Sequence, residues 1–286
     1  MLLALLLTSI IMVAETTGGW IAGSLALLAD AGHMLTDVLA LLVAFTAMSL
    51  SQKPADERRT YGYRRLEILA ALANGIALVV VSVTIVYEAA QRWMQPRPVD
   101  VTLMSVVAVI GLVSNLFGLW LLRGEHHNLN VRGAFLHMLG DTLSSVGVVA
   151  AAAVIAVTGW TRIDALLSFG IAAVIVITSL SLLREVIDVL LEAAPRDIDT
   201  AKVRMSIAAI AGVAEVHDLH VWSIASGLPA LSAHIVVTDP ASDCHEIRVA
   251  ILDRMRSEYT IDHCTLQMER LSDDGCGCCP PNRRRS

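Results

Sequence analysis

Two short segments carry the strongest chemical signal in this chain: His33-Met34-Leu35-Thr36-Asp37 and His137-Met138-Leu139-Gly140-Asp141. Each reads H-x-x-x-D within a long apolar run. On a helix, residues i and i+4 share a face, so each segment aims one imidazole and one carboxylate the same way. Ionisable side chains at the centre of a bilayer cost about 3 kcal/mol each on insertion scales. A lone buried histidine reads as a helix–helix hydrogen bond. Two matched pairs on separate apolar runs offer two nitrogen and two oxygen ligands, enough for a tetrahedral divalent ion such as zinc. The spacing therefore points to a metal site, formed by His33, Asp37, His137 and Asp141, in the middle of a membrane.

The elements that must position these residues follow from the hydropathy pattern. The chain has 286 residues, 55% hydrophobic and only 17% charged, too apolar for an ordinary soluble domain. A membrane span needs about 20 mainly apolar residues. Such runs cover 2–21, 24–50, 66–87, 101–122, 131–157 and 163–191. The first lacks a preceding Lys or Arg and a clear cleavage site, and it contains Glu15, which argues against a secretory leader. Lys53, Arg58, Arg59, Arg64 and Arg65 crowd the link between the second and third runs, so that link is expected in the cytoplasm. Arg123 and Arg132 flank the link between the fourth and fifth, on the same side. Arg92 and Arg97 fall on the outer side. An even number of spans then leaves both termini cytoplasmic. Within the spans, Asp30 lies on nearly the face of His33, where it either orients an imidazole or lies on a proton path. Glu15, Asn74 and Asn115 read as interhelical hydrogen bonders or cavity-lining groups.

From Pro195 the chain reads as soluble. Residues 199–211 have helical spacing, 213–224 read as a strand, and Gly227-Leu228-Pro229 is a turn signal. A second strand covers 230–238, a second helix 243–258, and a third strand 262–271. The order αββαβ predicts a small open sheet with two helices on one face. About 75 residues is marginal for independent stability, so pairing with a second copy would supplement the core. The net charge of -6 leaves no basic footprint for nucleic acid. No P-loop is present, so no nucleotide is implied. The five cysteines all follow residue 243. An odd count argues against a disulfide framework and fits a reducing compartment. Cys276, Cys278 and Cys279 fall in a polar tail, 272–286, that is either a further zinc-binding segment or disordered.

Four segments in this order resemble the cation diffusion facilitators: Asp30-Ala31-Gly32-His33-Met34-Leu35-Thr36-Asp37, Tyr61-Gly62-Tyr63-Arg64-Arg65-Leu66-Glu67, His137-Met138-Leu139-Gly140-Asp141, and His217-Asp218-Leu219-His220-Val221-Trp222. The resemblance covers nearly the whole chain. It is greatest to the zinc-exporting bacterial branch, which is similar to the vertebrate vesicular zinc transporters. It implies a homodimer in the bacterial cytoplasmic membrane, with six transmembrane helices per chain (1–192) and a metallochaperone-like cytoplasmic domain (195–271). It implies a secondary transporter, not an enzyme, exchanging Zn2+ against protons, with Cd2+ or Co2+ as further substrates. The quartet matches the family transport site, and a histidine at position 33 points to zinc. The resemblance also implies a cytoplasmic metal site at His217, His234, His245 and Glu269. His217 and His220 stand three apart on one strand, so alternation sends them to opposite faces and only one should join. Arg65 and Glu192 match a charge interlock at the dimer interface, where Arg64 is an alternative to Arg65. The link between the second and third spans lacks the histidine cluster of some members, so no metal is expected there. The link between the fourth and fifth holds only His126 and His127.

A reading from another class is an intramembrane metal-dependent hydrolase. It needs an open metal position and a general base. A closed His2Asp2 set without H-E-x-x-H argues against it. A membrane-anchored metal sensor would leave the intramembrane quartet unexplained.

Overall fold

The computed structural model describes residues 2–51, 56–122, 129–238 and 243–270. Within these elements, the side chains of residues 2–7, 37, 40, 41, 44, 45, 47–51, 121, 122, 129–137 and 270 lie outside that description. The chain divides into two compact units, Met1–Thr46 with Ala70–Leu183, and Ala47–Leu69 with Arg184–Ser286.

The first unit is helical. It holds α1 (Leu2–Ala22), α4 (Val101–Leu122) and α5 (Leu129–Thr158), and most of α2 (Leu25–Ser51), α3 (Leu66–Met94) and α6 (Arg162–Leu190). Among the described residues, α3, α4, Met138–Thr158 of α5 and α6 are each long and apolar enough to cross a membrane. Glycine with positive φ ends two of the helices: Gly23 (φ 68°) after α1 and Gly159 (φ 67°) after α5, a conformation a Cβ disfavours. Two prolines, Pro96 and Pro98, separate α3 from α4. Helix α3 runs to Met94, past the end of its apolar run at Tyr87, because Glu88-Ala89-Ala90-Gln91-Arg92 are good helix formers.

Small residues let α1, α2, α4 and α5 approach closely. Ala22, Ala26, Ala108, Ala151 and Ala152 are buried with Leu27, Met104, Val107, Val148 and Ile155 in one cluster. Large apolar side chains point away from it. Ile76, Val80 and Val83 of α3, and Val106, Val113 and Phe117 of α4, are exposed, as suits surfaces facing lipid rather than water.

The second unit holds α7 (Thr200–Ala208), β1 (Val213–Ala225), β2 (Leu228–Val237), α8 (Cys244–Tyr259) and β3 (His263–Arg270). The expected αββαβ order is therefore present. Strand order is β1-β2-β3, with β1 antiparallel to β2 and β2 parallel to β3 across α8. Asp199 caps α7 by accepting from the Ala201 and Lys202 amides, and Asp243 caps α8 through His245 N–H. Val203 and Ile207 of α7 and Ile247, Ile251 and Met255 of α8 pack on Val216, Val221, Leu231, Ala233, Ile235 and Val237 of the sheet. Both helices thus cover one face. The hairpin turn is tighter than the Gly-Leu-Pro signal suggests: β2 starts at Leu228, paired with Ala225, and Gly227 alone takes positive φ (67°).

One irregularity in β1 changes which residues share a face. His217 pairs with His234, but His220 pairs with Ser232, so three steps on β1 match two on β2. The extra residue makes a β-bulge, and Asp218 there has φ 49°. Strict alternation would separate His217 from His220. The bulge returns both to the face opposite the helices.

Candidate metal sites

In the helical unit, α2 and α5 bring the two motifs together. His33 Nε2 lies 3.5 Å from Asp141 Oδ1. A zinc ion bonded at about 2.05 Å to two tetrahedral ligands separates their atoms by about 3.4 Å. The observed spacing is compatible with two ligands on one ion, and equally with a direct imidazole–carboxylate contact. Asp37 stands one turn beyond His33 on α2, and His137 one turn before Asp141 on α5. The side chains of Asp37 and His137 lie outside the described residues.

Some polar groups on the surrounding helices pair with one another, whereas Glu15 Oε2 and Asn74 Oδ1 are buried without a hydrogen-bond partner among the described residues. Ser144 Oγ of α5 donates to Asp30 Oδ1 of α2 at 2.6 Å. Asn115 Nδ2 of α4 donates to Ser145 Oγ of α5 at 3.1 Å, the interhelical role its sequence position suggests. Glu15 is 2% exposed, and its Oε1 fills the space a Cβ on Gly111 would need. The absence of a side chain at position 111 is what admits this carboxylate between α1 and α4.

In the second unit, three strands supply a second cluster on the face the helices leave uncovered. Glu269 of β3 bridges two imidazoles. Its Oε2 lies 2.9 Å from His217 Nε2 and its Oε1 lies 2.6 Å from His234 Nδ1. Each of the three offers one ligand atom within 4.8 Å of the others. Burial pushes the Glu269 carboxyl up, but the hydrogen bonds from His234 and His217 outweigh it and hold the pKa below the usual value. Three convergent donors of this type suit a borderline divalent ion, with a fourth position left for another ligand or water.

The sequence-derived set is only partly assembled within one chain. His245 lies on α8, where its Nδ1 faces Arg248 Nη2 at 3.4 Å, and it does not join the other three. His220 Nε2 instead meets Asp218 Oδ1 at 3.2 Å. Asp218, which alternation does not single out, also approaches His234 Nε2 at 3.8 Å. The signal for it was a charged residue inside a run of strand formers. Cys264 is no ready ligand: burial pushes its thiol up to about 11, Asp262 adds to this, and Arg256 opposes it. Cys276, Cys278 and Cys279 lie outside the described residues. Arg65 Nη2 and Glu192 Oε1 are paired at 3.2 Å, with Glu192 held at φ 60° just after α6.

The family model for the cation efflux transmembrane domain matches residues 1–191. This chain belongs to the cation efflux family. A second model, the cation efflux protein cytoplasmic domain, matches residues 195–271. Among similar proteins, the zinc transporter ZitB of Escherichia coli (strain K12) is 43% identical over 274 residues, covering 93% of this chain and 86% of that protein. The cadmium, cobalt and zinc/H(+)-K(+) antiporter of Bacillus subtilis (strain 168) is 41% identical over 262 residues, covering 90% of this chain and 84% of that protein. The metal cation efflux system protein CzcD of Cupriavidus metallidurans is 40% identical over 268 residues, covering 93% and 85%. A solved structure, the metal-bound C-terminal domain of a CzcD transporter, is 36% identical and covers 25% of this chain and 99% of that chain, with a TM-score of 0.24. These relatives are named as transporters and antiporters. As a cation efflux protein, this chain is a transporter rather than an enzyme.

Proposed function

We propose that this protein exports Zn2+ from the bacterial cytoplasm across the cytoplasmic membrane in exchange for protons, by alternating access, as a homodimer with both termini inside. Cd2+ and Co2+ are further substrates. The observation that carries the reading is the 3.5 Å approach of His33 to Asp141 between two apolar helices. A family of cation efflux transporters and relatives named for zinc, cadmium and cobalt support it.

In this reading residues 1–192 form the transport domain, with His33, Asp37, His137 and Asp141 holding the substrate ion. Zinc requires neutral imidazoles and ionised carboxylates, so binding releases protons. The same four groups therefore hold either metal or protons. Where the site faces the more acidic side, protonation expels the ion; where it faces the neutral cytoplasm, the site refills. Residues 195–271 form a dimerising domain whose His217, His234 and Glu269 bind a regulatory ion. His245 joins them only through movement of the first turn of α8 or from a second copy. Arg65 and Glu192 fasten the helix ends at the dimer interface. The tail, 272–286, adds thiolate ligands from Cys276, Cys278 and Cys279.

The deciding experiment is zinc uptake into liposomes holding the purified protein, with and without an imposed pH gradient. Gradient-driven accumulation is expected. Zinc movement indifferent to the gradient would remove the proton coupling, and no zinc movement at all would remove the proposal.

A further inference from the structure

The α1–α2 turn is held by a buried carboxylate far away in the sequence. Asp164, in the first turn of α6, is 2% exposed. Its Oδ1 accepts from Ser24 Oγ at 2.6 Å. Its Oδ2 accepts from Leu25 N–H at 2.7 Å, and its Oδ1 also accepts from Ala26 N–H at 3.2 Å. Ser24 Oγ accepts from Leu27 N–H at 3.3 Å, and Ser24 N–H donates to Gly19 O at 3.0 Å. The four N–H groups from Ser24 to Leu27, which α2 cannot satisfy from within, are thus all accounted for. Two of them depend on a residue 138 or more positions away.

Charge is balanced at the same point. Arg92 of α3 places Nη1 3.7 Å from Asp164 Oδ2, and the same nitrogen donates to Gly23 O. The negative carboxylate complements the positive end of the α2 dipole, and the guanidinium offsets the cost of burying it. An adjoining backbone bond, Asp100 N–H to Ala22 O at 2.8 Å, fixes the start of α4 to the same turn.

Resting on the transport reading above, we propose that Asp164 is a positioning residue for the transmembrane ion site. Helix α2 carries His33 about two turns beyond the clasp. Helix α5 carries Asp141, and only the Gly159-Trp160-Thr161 turn separates α5 from α6. One carboxylate therefore joins the segment bearing the imidazole to the hairpin bearing the facing carboxylate. An amide at position 164 would turn an N–H2 either toward Leu25 N–H and Arg92 or toward Ala26 N–H, donor against donor in both cases. The end of α2 must then shift, and His33 shifts with it.

The test is zinc transport by the full-length protein in liposomes, read as KM and Vmax separately. A structural role alone lowers the amount of active protein, which lowers Vmax and leaves KM unchanged. A positioning role weakens the site: Asp164→Asn is expected to raise the zinc KM about tenfold, the scale seen when partners that orient metal ligands are removed. Ser24→Ala, which keeps both backbone bonds, is expected to raise KM by a smaller factor, and Ser24→Thr, which keeps the hydroxyl, to restore the wild-type value. An unchanged KM in Asp164→Asn overturns the proposal. If that variant does not fold, an unchanged KM in Ser24→Ala overturns it instead. Asp141→Ala run alongside separates the two ideas: wild-type flux in that variant defeats the transport-site reading itself, whatever the clasp variants do.

Discussion

His33 and Asp141 belong to different helices, yet their Nε2 and Oδ1 atoms lie 3.5 Å apart. In the proposed transport site, removing one partner takes a ligand from the ion and leaves the other without its facing group. Asp141→Ala and Asp37→Ala are each expected to abolish zinc flux in liposomes. Both should still elute as the wild-type assembly on size exclusion, because each change removes a polar group and leaves the apolar side chains of the packed clusters in place.

Replacing His33 by aspartate should broaden selectivity toward cadmium. The change exchanges a nitrogen donor for a shorter oxygen donor. That leaves the proposed site with one nitrogen and three oxygen ligands in place of the balanced two-and-two set, loosening its preference for zinc. Competitive flux of the two ions measures it. The Cd/Zn ratio is expected to rise, and an equal ratio in variant and wild type would reject the assignment of His33 as a ligand.

The helices α1 to α6 were legible because each rests on an apolar run of span length, and the H-x-x-x-D pairs because they interrupt such runs. Other features lay beyond local pattern. The bulge at Asp218 depends on how β1 pairs with β2, so alternation put His220 on the wrong face. His245 sits at the start of α8, whose buried residues pack on the helix-covered face of the sheet, away from the His217 cluster. Asp164 reads locally as an acidic residue in the first turn of a helix. Its partner Ser24 is 140 positions away, and no periodicity links them.

The cytoplasmic cluster makes a pH prediction. The folded pKa of Glu269 is depressed, so its contribution to stability is present above the unfolded value near 4.5 and is lost as pH falls through the folded value. Thermal unfolding of the full-length protein without metal should therefore show Glu269→Gln converging on wild type at low pH and separating from it above about pH 5. Zinc at neutral pH should raise the wild-type melting temperature by mass action, and His234→Ala should lose most of that gain. Transport in His234→Ala should be slowed rather than stopped, because the proposed ion path lies in the helices. Complete loss of flux would mean that the cluster is part of the path.

The last prediction concerns the contact between α1 and α4. A Cβ on Gly18 would come within 2.5 Å of Val107 Cγ2. Valine is stiff at χ1, and Val107 is 9% exposed within the cluster shared by α1, α2, α4 and α5. Relieving the contact takes either a change of Val107 rotamer or a separation of the two helices. Gly18→Ala is expected to destabilise the detergent-solubilised protein by roughly 1–3 kcal/mol, the usual cost of overpacking. Val107→Ala alone should also destabilise, through the cavity it leaves. The two changes touch the same space, so they should not add: the double variant should be more stable than the sum of the single effects requires. Melting temperatures of the four proteins close the cycle. Strict additivity would show that Gly18 does not set the distance between α1 and α4. Non-additivity would tie the absence of a side chain at position 18 to the close packing of α1 against α4.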